Sequence, residues 1–142
     1  MRVLLVEDNP DDAALTQRAV RRKVSGAEIA LARDGQEAVE MLHGASQDAP
    51  DLILLDLKLP RLDGIEVLRR IRAESATKFV PVVMLTSSDE RRDVQSCYRE
   101  GVNSYLRKPI DFDEFMESVG DAARYWLTVN IGPAPSPTSG AR

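Results

Sequence analysis

Several apolar runs in this chain end on side chains that can handle phosphate or metal. Glu7 and Asp8 follow VLLV, Asp56 sits within DLILLDL, Thr86 closes VVMLT and Lys108 follows YLR. Open parallel sheets present their ligands at the carboxyl ends of their strands, so these groups are expected to share one pocket. Two carboxylates about 4 Å apart repel by roughly 4 kcal/mol at an effective dielectric near 20. Glu7, Asp8 and Asp56 therefore need a cation between them. The chain has one Cys and one His, which leaves hard oxygen donors and favours Mg²⁺ over zinc. Lys108 supplies further positive charge. With its neighbours neutralised, Asp56 can act as a nucleophile toward phosphorus and form an acyl phosphate. The Thr86 hydroxyl and the Lys108 amine are suitable donors to the phosphoryl oxygens. No residue of this set serves as a water-activating base.

Taken singly, most of these residues have a blander reading. An acidic pair after a strand often complements the next helix dipole, a strand-end threonine is commonly structural, and a lysine is commonly solvated. Asp56 resists that reading, because it interrupts a run that looks buried on both faces and an unpaired buried carboxylate is costly. The coincidence of all of them at strand ends carries the argument.

The elements that must position them read as five repeats of strand then helix, the βαβ signature of a parallel sheet with helices on both faces. Strands are expected near 2–7, 28–32, 52–56, 82–86 and 103–106. Asn9 and Pro10 form a cap and first-turn proline for the first helix, which carries Leu15 and Ala19 on one side. Asp34 with Glu37 suggests a capping box for the second helix, and Gly44 its stop. The third places Ile65, Leu68 and Ile71 toward the sheet. A weakly amphipathic helix is expected over 90–100, ending at Gly101. The last follows Pro109, is capped by Asp111 and carries Phe112, Phe115, Met116, Val119, Ala123 and Trp126. Aromatic and apolar residues continue past it, whereas GPAPSPTSGAR is too polar to recover its ordering entropy by burial.

At 142 residues with 43% apolar content, the chain can bury roughly two-thirds of its unfolded surface, so one core needs no disulfide. The single Cys97 excludes an internal disulfide, fits a reducing compartment and reads as a helix-face packing residue. No apolar run approaches the roughly 20 residues of a membrane helix, and Glu7 interrupts any signal-peptide core, so a cytoplasmic location and no membrane partner are expected. A net charge of −4 argues against nonspecific nucleic-acid binding. The basic clusters Arg21-Arg22-Lys23, Arg69-Arg70-Arg72 and Arg91-Arg92 read as solvated helix faces or ends, and His43 as a surface residue.

The motifs VEDN (6–9), LLDLKLPRLDG (54–64), MLTSS (84–88) and YLRKP (105–109), in this order and spacing, closely resemble a two-component response-regulator receiver domain. The resemblance covers residues 1–127, with 128–142 a C-terminal extension and flexible tail. It implies a flavodoxin-like, doubly wound five-stranded parallel α/β sheet of strand order 2-1-3-4-5. Asp56 would be the phosphoacceptor. Asp8, Asp56 and the Lys58 backbone carbonyl would bind Mg²⁺ directly, and Glu7 through water, with Mn²⁺ or Ca²⁺ as substitutes. Thr86 and Lys108 would hold the phosphoryl group, and Thr86 and Tyr105 would move as a switch. Lys58 and Ser88 would tune phosphate loss, and the bond before Pro109 would be cis.

NPDDAALTQRAV and YWLTVNIGP are further similar to the small stand-alone regulators of bacterial phytochrome kinases. That similarity implies a sensor histidine kinase partner, a phytochrome, and a homodimer formed through Tyr125, Trp126, Leu127 and Ile131. No DNA-binding helix pair is expected after 131, so output passes through protein contact. Three readings remain open besides the kinase-driven switch. One is a phosphorelay intermediate or phosphate sink serving a histidine-containing carrier, and another a phosphorylation-independent interaction module. The last, a Mg²⁺-dependent phosphatase, is disfavoured because Leu57 and Lys58 follow Asp56 where a second acid is needed. Beyond weak self-catalysed phosphorylation and dephosphorylation, no enzyme activity is expected.

Overall fold

Short strands rich in Val, Leu and Ile cannot bury themselves and gain most by lying side by side between helices. In the computed structural model, which describes residues 1–43, 49–88, 90–108 and 111–133, five of them do so. These are β1 (Arg2–Val6), β2 (Glu28–Ala32), β3 (Leu52–Asp56), β4 (Val82–Thr86) and β5 (Ser104–Arg107), all parallel in the order β2-β1-β3-β4-β5. Helices α1 (Pro10–Lys23), α2 (Gly35–His43), α3 (Gly64–Ala73), α4 (Arg91–Arg99) and α5 (Phe112–Arg124) connect and follow them, and a π-helical turn spans Tyr125–Val129. That turn crosses the domain boundary expected at 127.

Alternation along the strands feeds two cores. Val3, Leu5, Leu52, Leu54, Val83 and Leu85 face α1 and α5. Leu4, Val6, Ile53, Leu55, Val82 and Met84 face α2, α3 and α4. β3 and β4 are buried throughout and span the residues expected of them. β1 stops at Val6, leaving Glu7 just outside, and β5 begins at Ser104, one residue later than expected. In α3 the buried positions are Gly64, Val67, Leu68 and Ile71. Ile65 packs on the same core while partly exposed, and Val67 joins the expected stripe because the burial arc follows the i, i+3, i+4, i+7 spacing.

The helix ends follow their sequence signals. Asn9 Oδ1 accepts from the backbone N–H groups of Asp11 and Asp12, at 2.9 and 3.0 Å, ahead of Pro10. Asp34 Oδ1 accepts from Glu37 N at 2.8 Å, and Glu37 Oε1 reaches back to Arg33 N at 2.6 Å. Asp63 and Asp111 cap α3 and α5 in the same way. Glu90, before α4, makes no side-chain cap bond. α4 ends at Arg99 with Glu100 as its cap, and the next residue, Gly101, has a φ of 98° that accompanies a Val102 N to Cys97 O bond of 3.0 Å. Such a reversal favours glycine. Cys97 packs in the core as expected.

One basic cluster departs from expectation. Arg69 and Arg70 are exposed and pair with Glu66, but Arg72 is half-buried. Its guanidinium donates to the carbonyls of Gly101 (2.9 Å), Val80 (2.8 Å) and Lys78 (3.1 Å), and to Asn103 Oδ1 (2.7 Å). The expected stop at Gly44, the Lys108–Pro109 peptide and the tail beyond 133 lie outside the described residues. Among the described residues, no helix is long and apolar enough to cross a membrane.

Candidate functional site

The sheet order reverses between β1 and β3, and ligands in open α/β sheets bind at that point. Glu7 follows the last residue of β1, Asp56 is the last residue of β3, and both are buried. Lys108 follows β5, and its backbone N–H donates to Thr86 O at 2.7 Å. Its ammonium spans the gap, bonding Glu7 Oε1 at 2.8 Å, Asp12 Oδ2 at 3.1 Å and Asp56 Oδ2 at 3.2 Å.

The backbone around Asp56 is tightly wrapped. Lys58 N donates to Asp56 Oδ1 at 3.2 Å, and Gly64 N to Leu57 O at 2.9 Å. A side chain at Gly64 would collide with the Asp56 carbonyl, so the LDG that ends the β3–α3 segment leaves room for no other residue there. Arg61 takes a left-handed conformation (φ 70°) and pairs with Asp34 at 3.3 Å.

Glu7, Asp8 and Asp56 each offer an oxygen, all within 4.8 Å of one another. Asp8 is exposed and the other two are buried. Burial pushes the Glu7 carboxyl up, and the Asp56 charge adds to this; the Lys108 bond pulls the other way, with a net value of about 7. Burial opposes the Lys108 charge, yet the Glu7 bond and the Asp56, Glu7 and Asp12 carboxylates outweigh it and raise its pKa. A cluster of hard oxygens carrying more negative charge than one ammonium offsets fits a divalent cation of the Mg²⁺ or Mn²⁺ type.

At the rim, Thr86 is fully buried, and its Oγ1 accepts from Ser88 N at 3.2 Å. Tyr105 is half-buried against the α2–α4 core and donates its hydroxyl to Ser88 O at 2.7 Å. Ser88 Oγ donates to Asp93 Oδ2 at 2.5 Å, and Lys58 Nζ lies 4.0 Å from the same oxygen. Lys58 and Ser88 thus meet at Asp93, in the first turn of α4.

The structure therefore brings Glu7, Asp8, Asp56 and Lys108 together, with Thr86, Ser88 and Tyr105 linked beside them. Sequence reasoning missed Asp12 and Asp93. Asp12 stands in the first turn of α1, three residues after the Asn9 cap. The expected dimer residues divide. Trp126 and Leu127 pack partly on the α1–α5 core, and Trp126 Nε1 donates to Ser104 Oγ at 3.1 Å. Tyr125 is 45% exposed and Ile131 93% exposed.

This switch-point pocket of carboxylates and one lysine, on a 2-1-3-4-5 parallel sheet, has known counterparts. Residues 3–120 match the response regulator receiver domain family, and the chain belongs to that family. The probable methanogenesis regulatory protein FilR2 of Methanothrix harundinacea is 39% identical over 137 residues, covering 94% of this chain and 88% of FilR2. Response regulator Rcp1 of Synechocystis is 36% identical over 136 residues, covering 93% and 92%; its Mn²⁺-bound structure covers 94% of this chain and 99% of that one with a TM-score of 0.85. The phosphorylated cyanobacterial phytochrome response regulator RcpA has a TM-score of 0.87 at 36% identity, covering 94% of this chain and 98% of that one.

Proposed function

We propose that this chain accepts a phosphoryl group on Asp56 from the phosphohistidine of a sensor histidine kinase, and that the kinase is a phytochrome. The observation that carries this reading is the Lys108 ammonium, held 3.2 Å from Asp56 Oδ2 beside three carboxylates that could together hold a divalent cation. The likeness to phosphorylated RcpA supports it. An Asp56 oxygen attacks phosphorus in line, the new O–P bond forms as the N–P bond of the phosphohistidine breaks, and the imidazole leaves with the electron pair and takes a proton from water. Asp8, Asp56 and the Lys58 carbonyl would hold the cation, with Glu7 supporting it from beside them. When bound, Mg²⁺ offsets the charge that builds on the transferring group. Lys108 and the Thr86 hydroxyl donate to the phosphoryl oxygens. The Thr86 hydroxyl only accepts from Ser88 N, so it can donate its own hydrogen to a phosphoryl oxygen; a shift of Thr86 toward the phosphoryl group would pass through Ser88 to Tyr105 and α4.

Output is a changed protein-interaction surface in the cytoplasm, not turnover of an external substrate. The exposed Tyr125 and Ile131, with the outer parts of Trp126 and Leu127, form a homodimer contact. Intact mass after incubation with acetyl phosphate, with and without Mg²⁺, tests the chemistry. One phosphoryl adduct is expected, only with Mg²⁺ and absent in Asp56→Asn. No adduct under any condition would make the chain a phosphorylation-independent interaction module.

A further inference from the structure

An ammonium has three hydrogens, and three carboxylates take those of Lys108: Glu7 at 2.8 Å, Asp12 at 3.1 Å and Asp56 at 3.2 Å. A phosphoryl group on Asp56 can gain Lys108 only by displacing one of them. The three differ in what displacement costs. Glu7 is 2% exposed, and its other oxygen is engaged by Asn9 N at 3.2 Å. Taking the cation from so buried a carboxylate leaves an uncompensated charge. Asp56 loses its carboxylate charge on phosphorylation and its bond passes to the phosphoryl group it carries, so any further bond from Lys108 to that group must come from Glu7 or Asp12. Asp12 has a side chain 37% exposed and stands in the first turn of α1, capped by Asn9. Water and the helix N-terminus can both accommodate its charge once the lysine leaves.

We propose that Asp12 is a positioning residue that holds Lys108 in the unphosphorylated protein and competes with the phosphoryl group for its ammonium. Phosphorylation then opens the Asp12–Lys108 contact and frees a carboxylate at the start of α1. The proposal rests on the assignment of Asp56 as phosphoacceptor. Asp12 stabilises the empty pocket at the expense of the loaded one, so neutralising it favours loading.

The test compares Asp12→Asn with Asp11→Asn. Both remove one charge from the same helix turn, but Asp11 is exposed and is not among the acceptors of Lys108. Beryllofluoride, a tetrahedral phosphoryl mimic, is titrated calorimetrically at saturating Mg²⁺ into each full-length protein. Asp12→Asn is expected to bind it roughly twofold to fivefold more tightly, the range of a partly exposed ion pair, while Asp11→Asn matches the parent. In the parent protein, the ¹³C carboxyl resonance of Asp12 is expected to move toward that of a solvated aspartate on beryllofluoride addition, which a purely structural role would not produce. Unchanged or weaker binding in Asp12→Asn, an equal gain in Asp11→Asn, or a stationary Asp12 resonance in the loaded parent overturns the proposal. Parent protein that takes up neither beryllofluoride nor an acetyl phosphate adduct defeats the Asp56 assignment itself, and the competition with it.

Discussion

The two helical layers on this sheet are fastened differently. On one side α1 buries Ala13, Thr16, Ala19 and Val20, and α5 buries Phe115, Met116, Val119 and Ala123. Gly120 lets these helices approach closely, since a Cβ there would lie 3.0 Å from Ala19 O and 2.7 Å from Lys23 Cγ. Lys23 ties them at the rim through Glu117 and Asp121, at 3.2 and 3.1 Å. On the other side, α4 buries Cys97 alone and begins without a side-chain cap bond. Yet α4 is the helix joined to the pocket rim, through Asp93 and Ser88. One layer is scaffold, and the other contains the element that can shift at low cost when the pocket changes.

That contrast is open to breaking by core truncation. Met116→Ala, in the scaffold layer, is expected to cost about 2–5 kcal/mol, read from denaturant midpoints. Val94→Ala, on half-buried α4, is expected to cost less than about 1 kcal/mol, near the range of surface changes. Equal costs would erase the distinction.

The single firm attachment of α4 supplies a pH test of intermediate size. Burial, with the Asp93 charge second, pushes the Cys97 thiol from its ordinary 9.0 up to about 11. The unfolded chain releases this proton at lower pH than the folded chain, so the folded state is favoured below pH 9. The contribution, about 3 kcal/mol at most, should be lost as pH rises from 9 through 11. Thermal melts across that window should show the decline, and Cys97→Ala should flatten it. At neutral pH the thiol should resist alkylation until the protein unfolds. The smallest effect sharpens the comparison further. Native-state hydrogen exchange should give the α4 amides a lower opening free energy than those of α1 and α5, and phosphorylation should change α4 most.

Much of this was legible in the sequence, for reasons that individual residues make plain. β3 and β4 are buried on both faces, so LILLD and VVMLT read as uninterrupted apolar runs with sharp ends. Asn9-Pro10, Asp34 with Glu37, and Asp111 are local signals whose hydrogen bonds lie within a few residues, and each forms as expected. Glu7, Asp56 and Lys108 were visible as polar groups that terminate apolar runs. Asp12, Asp93 and Arg72 were not, because an acid in a first turn and a cation in a last turn already have a sufficient local reason to be there. Their partners lie 96, 5 and up to 31 residues away. Only the folded sheet brings Asp12 to Lys108 and Arg72 to Asn103, and the Asp93–Ser88 bond depends on how the β4–α4 loop turns. Trp126 was legible as an aromatic at the end of an apolar stripe, but not as a residue already turned partly inward.

The Arg72 fork has a practical meaning for anyone who would re-engineer this domain. Its acceptors among the described residues are three carbonyls and one side-chain amide rather than a carboxylate, so salt has little to screen there, and a lysine could not reproduce the forked geometry. Because Lys78, Val80, Gly101 and Asn103 are each held in fixed register to one planar group, the α3–β4 and α4–β5 connections cannot be lengthened independently of each other. Graft points and permuted termini belong elsewhere on the surface, and the far ends of β4 and β5 stay anchored while substitutions accumulate around the pocket mouth.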